Sequence, residues 1–209
     1  MMKDFKATTG DNKKFIIDTL MATGRDGMDY VIEELDNLGF FSAPASTCHH
    51  LCEEGGLAEH SVNVYREAMM LRDQHVMMNP LLERYLPEDS VAIASLLHDV
   101  CKAEIYKKTN RKKKGIDGAW ESFSSYEIDH SAFPCGHGEK SVIQLLRWGL
   151  DLTDDEILAI RWHMGPWDLA FQSLEQKTCL NLAKNTTPLL SLIQHADGLA
   201  ASMLESKVI

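Results

Sequence analysis

A mainly α-helical domain, built as an irregular bundle with one small β-hairpin insertion, is the fold class this sequence predicts. Three observations predict it. Apolar residues recur at helical spacing over most of the chain. Capping and breaking residues fall where those stretches should start and stop. Residues 104–128 alone carry strand and turn character.

Taken in order, residues 11–23 and 27–38 carry apolar positions at helical spacing, and Gly39 can end the second helix. Residues 44–56 read as a loop. A long helix is expected from Leu57 to about Met77, with His60 in its first turn. Leu86-Pro87-Glu88-Asp89 introduces the next helix, with Asp89 or Ser90 as N-cap, and that apolar helix runs into His98-Asp99. Tyr106-Lys-Lys-Thr and Trp120-Glu-Ser-Phe-Ser-Ser-Tyr flank Gly115-Ile-Asp-Gly118, which reads as a hairpin. A helix from about His137 to Trp148 follows Pro134 and Gly136. Thr153-Asp-Asp-Glu156 is a capping box for a helix ending at His163 and Gly165. Residues 174–184 form another helix, and Pro188 takes the tolerated first position of the last one. Residues 1–46 are expected to be N-terminal helices packing on a core made by residues 47–209, all in one compact domain.

Composition narrows the function. The 209 residues, 44% hydrophobic and 25% charged, suit one globular domain. No apolar run is long enough to span a bilayer, and no signal-peptide core follows the first residues, so no membrane partner and a cytoplasmic location are expected. Cysteines 48, 52, 101, 135 and 179 lack a disulfide framework spacing and suit reduced thiols. A net charge of −10 argues against a general nucleic-acid-binding surface. Lys107, Lys108, Arg111, Lys112, Lys113 and Lys114 run the other way, either as a solvated hairpin tip or as a flap that attracts phosphate.

The chemistry centres on His98-Asp99, at the end of an apolar segment with Lys102 just beyond. Ionisable groups in such a segment are costly to bury unless they are paired or bound to a metal. Imidazole and carboxylate together suit Mn, Fe, Co, Ni or Zn, or Mg, more than calcium. Neighbours on a helix diverge by about 100°, so other elements must supply further ligands. The chain offers them in Gly55-Gly-Leu-Ala-Glu-His60-Ser61, Cys135-Gly-His137-Gly-Glu-Lys-Ser141, Arg161-Trp-His163-Met-Gly165 and His195-Ala-Asp197-Gly198.

This ordered set, covering roughly residues 47–204, resembles the HD-domain metal-dependent phosphohydrolase superfamily. The GG-x-x-EHS and HADGLAA segments look most like the HD domains of bacterial 3′→5′ exoribonucleases, and no separate nucleic-acid-binding domain accompanies them in the sequence. The resemblance implies a helical HD bundle and a first metal held by His60, His98, Asp99 and Asp197. His137 and His163 would complete a second metal position with Asp99 bridging, or would hold a phosphate oxygen or act as acid and base beside a single ion. Relatives with two metals often carry adjacent histidines where this chain has Trp162-His163.

Lys102 would hold phosphate or offset charge in the transition state. Arg161 and Asp168 are candidates for substrate contact or for a surface salt bridge, and Trp167 and Phe171 for stacking on a base or for aromatic core packing. Glu59 is expected beside the ligands or on the surface, and His195 beside the ligands or in the core. Gly198, Ala200 and Ala201 would let the Asp197 helix approach closely. Cys48, His49, His50 and Cys52 match no common zinc finger, and His49 or His50 fits the mouth of the main site better. The function implied is hydrolysis of a phosphorylated substrate, a nucleotide or short oligonucleotide, by metal-activated water. The alternatives are a catalytically silent nucleotide-binding module and a 3′→5′ exonuclease.

Overall fold

The computed structural model describes residues 9–48, 51–114, 119–129, 131, 133–169 and 173–205. Two N-terminal helices come first, α1 (Thr9–Ala22) and α2 (Met28–Leu38), the second ended by Gly39 in the left-handed conformation. After a loop come α3 (Gly56–Met78), a 3-10 segment (Pro80–Tyr85), α4 (Glu88–Leu97) and the one-turn α5 (Lys102–Ile105). Strands β1 (Tyr106–Lys114) and β2 (Trp120–Ile128) pair antiparallel, Tyr106 opposite Ile128 and Lys114 opposite Trp120. The turn expected at Gly115–Gly118 lies outside the described residues. Helices α6 (His137–Arg147), α7 (Asp154–Trp162), α8 (Leu174–Thr186) and α9 (Pro188–Leu199) complete the bundle, with a π-helical turn at Ala200–Leu204. The fold is mainly α, as expected. Among the described residues no helix is long and apolar enough to cross a membrane.

One expectation is corrected. Helix α4 starts two or three residues earlier than the caps suggest: Pro87 is its N-cap, without a side-chain hydrogen bond, and Glu88 and Asp89 occupy the first turn. There their charge favours the helix N-terminus in any case. The helix stops at Leu97, and Lys102 opens the separate turn α5.

One continuous hydrophobic core joins α1 and α2 (Ile16, Leu20, Val31, Leu35) to α3, α4, α7 and α9 (Leu57, Ile93, Ile160, Ile193). Helix α9, which carries Asp197, packs on α3, α4 and α7, the helices that carry His60, His98-Asp99 and His163. Arg25, in the α1–α2 loop, fixes the far ends of two of them. Its guanidinium spans the buried Glu156 of α7 at 2.7 and 2.8 Å and Asp89 of α4 at 3.0 Å. Glu156 also closes the capping box with Thr153. The clamp therefore holds the N-termini of α4 and α7, whose C-terminal ends deliver His98-Asp99 and His163. Removing one partner of such a buried pair costs about 3–5 kcal/mol.

Candidate metal centre

Each candidate ligand sits at a helix end or in a first or last turn. His60 lies in the first turn of α3, His98 is the C-cap of α4, His137 opens α6 and His163 is the C-cap of α7. Asp197 comes from the last turn of α9. Two glycines let these ends meet. A Cβ at Gly138 would lie 2.3 Å from the Arg161 carbonyl oxygen, so only glycine lets α6 approach the end of α7. At Gly165, which has φ +56°, a Cβ would strike the Gln194 side chain of α9. The close approach expected at Gly198 is not needed, because a Cβ there would meet nothing within 4 Å. The small residues buried along that helix are Ala196 and Ala200.

Asp99 is the centre of the arrangement. Its Oδ2 faces His98 Nε2 at 3.2 Å, His60 Nε2 at 3.5 Å and Lys102 Nζ at 2.5 Å. Its Oδ1 pairs with His137 Nε2 and faces His163 Nε2 at 3.5 Å. Asp197 Oδ1 approaches His60 Nε2 at 3.3 Å. Three overlapping groups have mutual donor distances within 4.8 Å: His60, His98 and Asp99; His98, His163 and Asp197; Asp99, His137 and His163.

The imidazoles are aimed by their outer nitrogens. His98 Nδ1–H donates to the Ser95 carbonyl at 2.8 Å, and His163 Nδ1–H to the Ile160 carbonyl at 2.7 Å. Those bonds assign the tautomer and leave the Nε2 lone pairs pointing inward. Both inward nitrogens are buried and make no hydrogen bond among the described residues. Buried acceptors of this kind need a donor or a cation. A borderline-to-hard divalent ion fits the donor set of imidazoles and carboxylates.

The electrostatics agree. Burial alone would raise the Asp99 carboxyl, but the Lys102 ammonium, His98 and His137 outweigh it and hold Asp99 well below the usual carboxylate range. Burial of Asp197 is likewise outweighed, chiefly by the His60 hydrogen bond, and its pKa is lowered. Burial disfavours a charged His60, yet Asp197, Asp99 and Glu205 together raise it well above an ordinary histidine. His137 goes the other way, lowered because desolvation wins.

The remaining predicted residues scatter. Lys102 joins the cluster through Asp99. Arg161 does not face it openly: Glu139 and Asp168 each take its guanidinium at 2.6 Å, and it stacks over Trp162, so it braces α6 against the turn after α7. Trp167 is 87% exposed rather than part of the core. His195 is exposed too, and its Nδ1–H donates to the Ser191 carbonyl, which corrects its placement near the ligands or in the core. Glu59 is only half-buried. Cys48 is exposed and Cys52 half-buried, and neither joins a metal-capable group among the described residues. His49, His50 and Phe171 lie outside the described residues.

Three residues escaped sequence reasoning. Glu205 accepts from His60 Nδ1 at 3.0 Å, Asn63 donates to Glu205 at 3.1 Å, and Cys101 Sγ lies 3.8 Å from His137 Nδ1. Asn63 shares a face with His60 at i,i+3 spacing, the one signal that could have found it. A pocket of about 430 Å³ opens beside His137, lined by Pro134, Cys135, Gly136 and Asp168.

Comparison with known proteins adds one match. The family model of the HD domain matches residues 57–202, which span every ligand candidate from His60 to Asp197. No curated protein and no solved structure matches the chain. HD domains are in general metal-dependent phosphohydrolases, and the buried His/Asp cluster could hold a metal, as that chemistry requires. With most of its length under the family model and the ordered histidines and aspartates gathered round one carboxylate, this chain belongs to the HD domain family.

Proposed function

We propose that this protein hydrolyses a phosphate ester of a nucleotide or short oligonucleotide, and that it does so at a two-metal centre bridged by Asp99. The carrying observation is the division of Asp99, one oxygen toward His60, His98 and Lys102 and the other toward His137 and His163. His60, His98, Asp99 and Asp197 are assigned to the first ion, and Asp99, His137 and His163 to the second. A divalent ion held by these residues, Mn, Fe, Co, Ni or Zn, or Mg, would supply Lewis acidity and a hydroxide nucleophile near neutral pH.

The chain's own groups do the rest. Lys102 keeps a positive charge beside Asp99, where it offsets charge that develops on the phosphoryl oxygens. With a single ion bound, His137 would be free of metal; it is the most open imidazole of the cluster, 19% exposed beside the pocket, and would suit proton transfer to a leaving oxygen. Trp167 presents an exposed ring near that mouth for stacking on a base.

The test is a screen of phosphomonoesters, nucleotides, cyclic nucleotides and short oligonucleotides with each of Mn, Co, Ni, Zn and Mg, together with metal analysis. Turnover of a nucleotide with two ions per chain supports the reading. The combined variant His137→Ala with His163→Ala should then retain one ion. If the parent protein binds one ion, the histidine pair belongs to phosphate binding. Binding without turnover makes the protein a silent nucleotide-binding module, and stepwise shortening of oligonucleotides makes it an exonuclease.

A further inference from the structure

Resting on the metal-centre reading, we infer that Glu205 is a positioning residue for His60 and that it makes the first metal position the tighter of the two. The four imidazoles of the cluster differ in what stands behind them. His98 and His163 are backed by neutral backbone carbonyls. Behind His137 is the Cys101 sulfur at 3.8 Å, a weak hydrogen-bond partner. His60 alone in the cluster is backed by a carboxylate, with both oxygens of Glu205 at 3.0 and 3.1 Å from Nδ1.

A carboxylate behind an imidazole does two things. It fixes the Nδ1–H tautomer, so that Nε2 carries the lone pair, and it makes that lone pair more basic. The Glu205 side chain is 1% exposed, so solvent screens the effect little. Asn63, one turn along α3, donates to Glu205 Oε1 and fixes the carboxylate in turn. The π-helical turn at Ala200–Leu204 delivers Glu205 to this place. Such turns widen the helix locally and shift the residues that follow onto a new face. Asp197 and Glu205 thus approach His60 from its two sides, one at each ring nitrogen. The last described residue of the chain belongs to the metal centre.

The experiment titrates chelator-stripped full-length protein with Mn²⁺ alone, by calorimetry and by the free-ion electron paramagnetic resonance signal. Glu205→Gln keeps the shape and an acceptor but removes the charge. It should weaken the tighter event about 10–100-fold and leave the weaker one within about twofold. Co²⁺ loading gives a second readout, since the visible bands of the first-bound ion should shift in Glu205→Gln. Asn63→Ala, which leaves the carboxylate in place but unaimed, should weaken the same event less and tests the idea if Glu205→Gln does not fold. Equal Mn²⁺ affinity in Glu205→Gln and parent, or in Asn63→Ala and parent where Glu205→Gln does not fold, overturns this inference and leaves the metal centre standing. A parent that binds neither Mn²⁺ nor Co²⁺ overturns both.

Discussion

Around Asp99, five side chains from five helices or helix ends converge, His60, His98, Lys102, His137 and His163, and His60, His98 and His163 are buried. A few residues further along, Lys107, Lys108, Lys112 and Lys114 stand exposed on β1. The helical part rests on a continuous hydrophobic core, to which no described side chain of the hairpin belongs. The hairpin is held by its own strand pairing and by the contact of β1 with α5. The two regions use charge differently. In the buried cluster each group has one arrangement, and a short distance in a poorly screened setting decides protonation and metal binding. On the hairpin, charge acts through solvent at longer range and fades with salt. Chemistry therefore belongs to the first region, and any contribution of the second is to encounter.

Removing the central charge should break this contrast most severely. Asp99→Asn keeps the shape but takes the carboxylate from both metal positions and leaves the Lys102 ammonium without its partner. Elemental analysis should find both ions lost, and hydrolysis should fall to background. The metal-free variant should be less stable by about 3–5 kcal/mol, a Tm lower by roughly 6–20 °C. Retention of full metal content would remove Asp99 from the site.

Acid should act next, and again on the buried region. Asp99 and Asp197 have folded pKa values below those of the unfolded chain. Their contribution to stability is complete above about pH 4 and is lost as pH falls through the folded values. His60 is raised, so its contribution is complete below about pH 6.5 and is lost as pH rises through its folded value. The Tm of the metal-free protein should thus fall below about pH 4 and again above about pH 6.5. Asp99→Asn should flatten the acid limb, and an unchanged acid limb would contradict the ion pairing.

The hairpin should give the smallest effect. Lys108, Lys112 and Lys114 alternate along one face of β1, opposite Tyr126, Ser122 and Trp120. Replacing all three by serine should lower kcat/KM about tenfold or less at low salt, leave kcat alone and reduce the salt dependence. An oligonucleotide should suffer more than a mononucleotide, because it presents more phosphates. Identical kinetics on both substrates would make the hairpin a solvated flap.

Much of this was legible in the chain. The helices α1 to α4 and α6 to α9 follow from apolar spacing, from the Thr153-x-x-Glu156 capping box and from Gly39 and Pro188, because these signals are local; the single turn α5 does not. The candidate ligands His60, His98, Asp99 and Asp197 were visible because several side chains able to bind a metal stand in apolar or small-residue surroundings, in an order that resembles a known family. Glu205 was not legible. A glutamate near the end of a chain looks like any solvated one, and 145 positions separate it from His60. The sequence left Arg161 between substrate contact and a salt bridge for the matching reason, since its carboxylate partners come from α6 and from the turn after α7.

The sequence by itself determined which residue types could bind a metal and which stretches would be helical, since both depend on chemistry and spacing within a few turns. Only the tertiary structure decided how the groups divide round Asp99, which nitrogen of each histidine faces inward, and which of them has a charge behind it. Those properties depend on contacts between elements far apart in the chain, made where burial leaves each polar atom few partners to choose from.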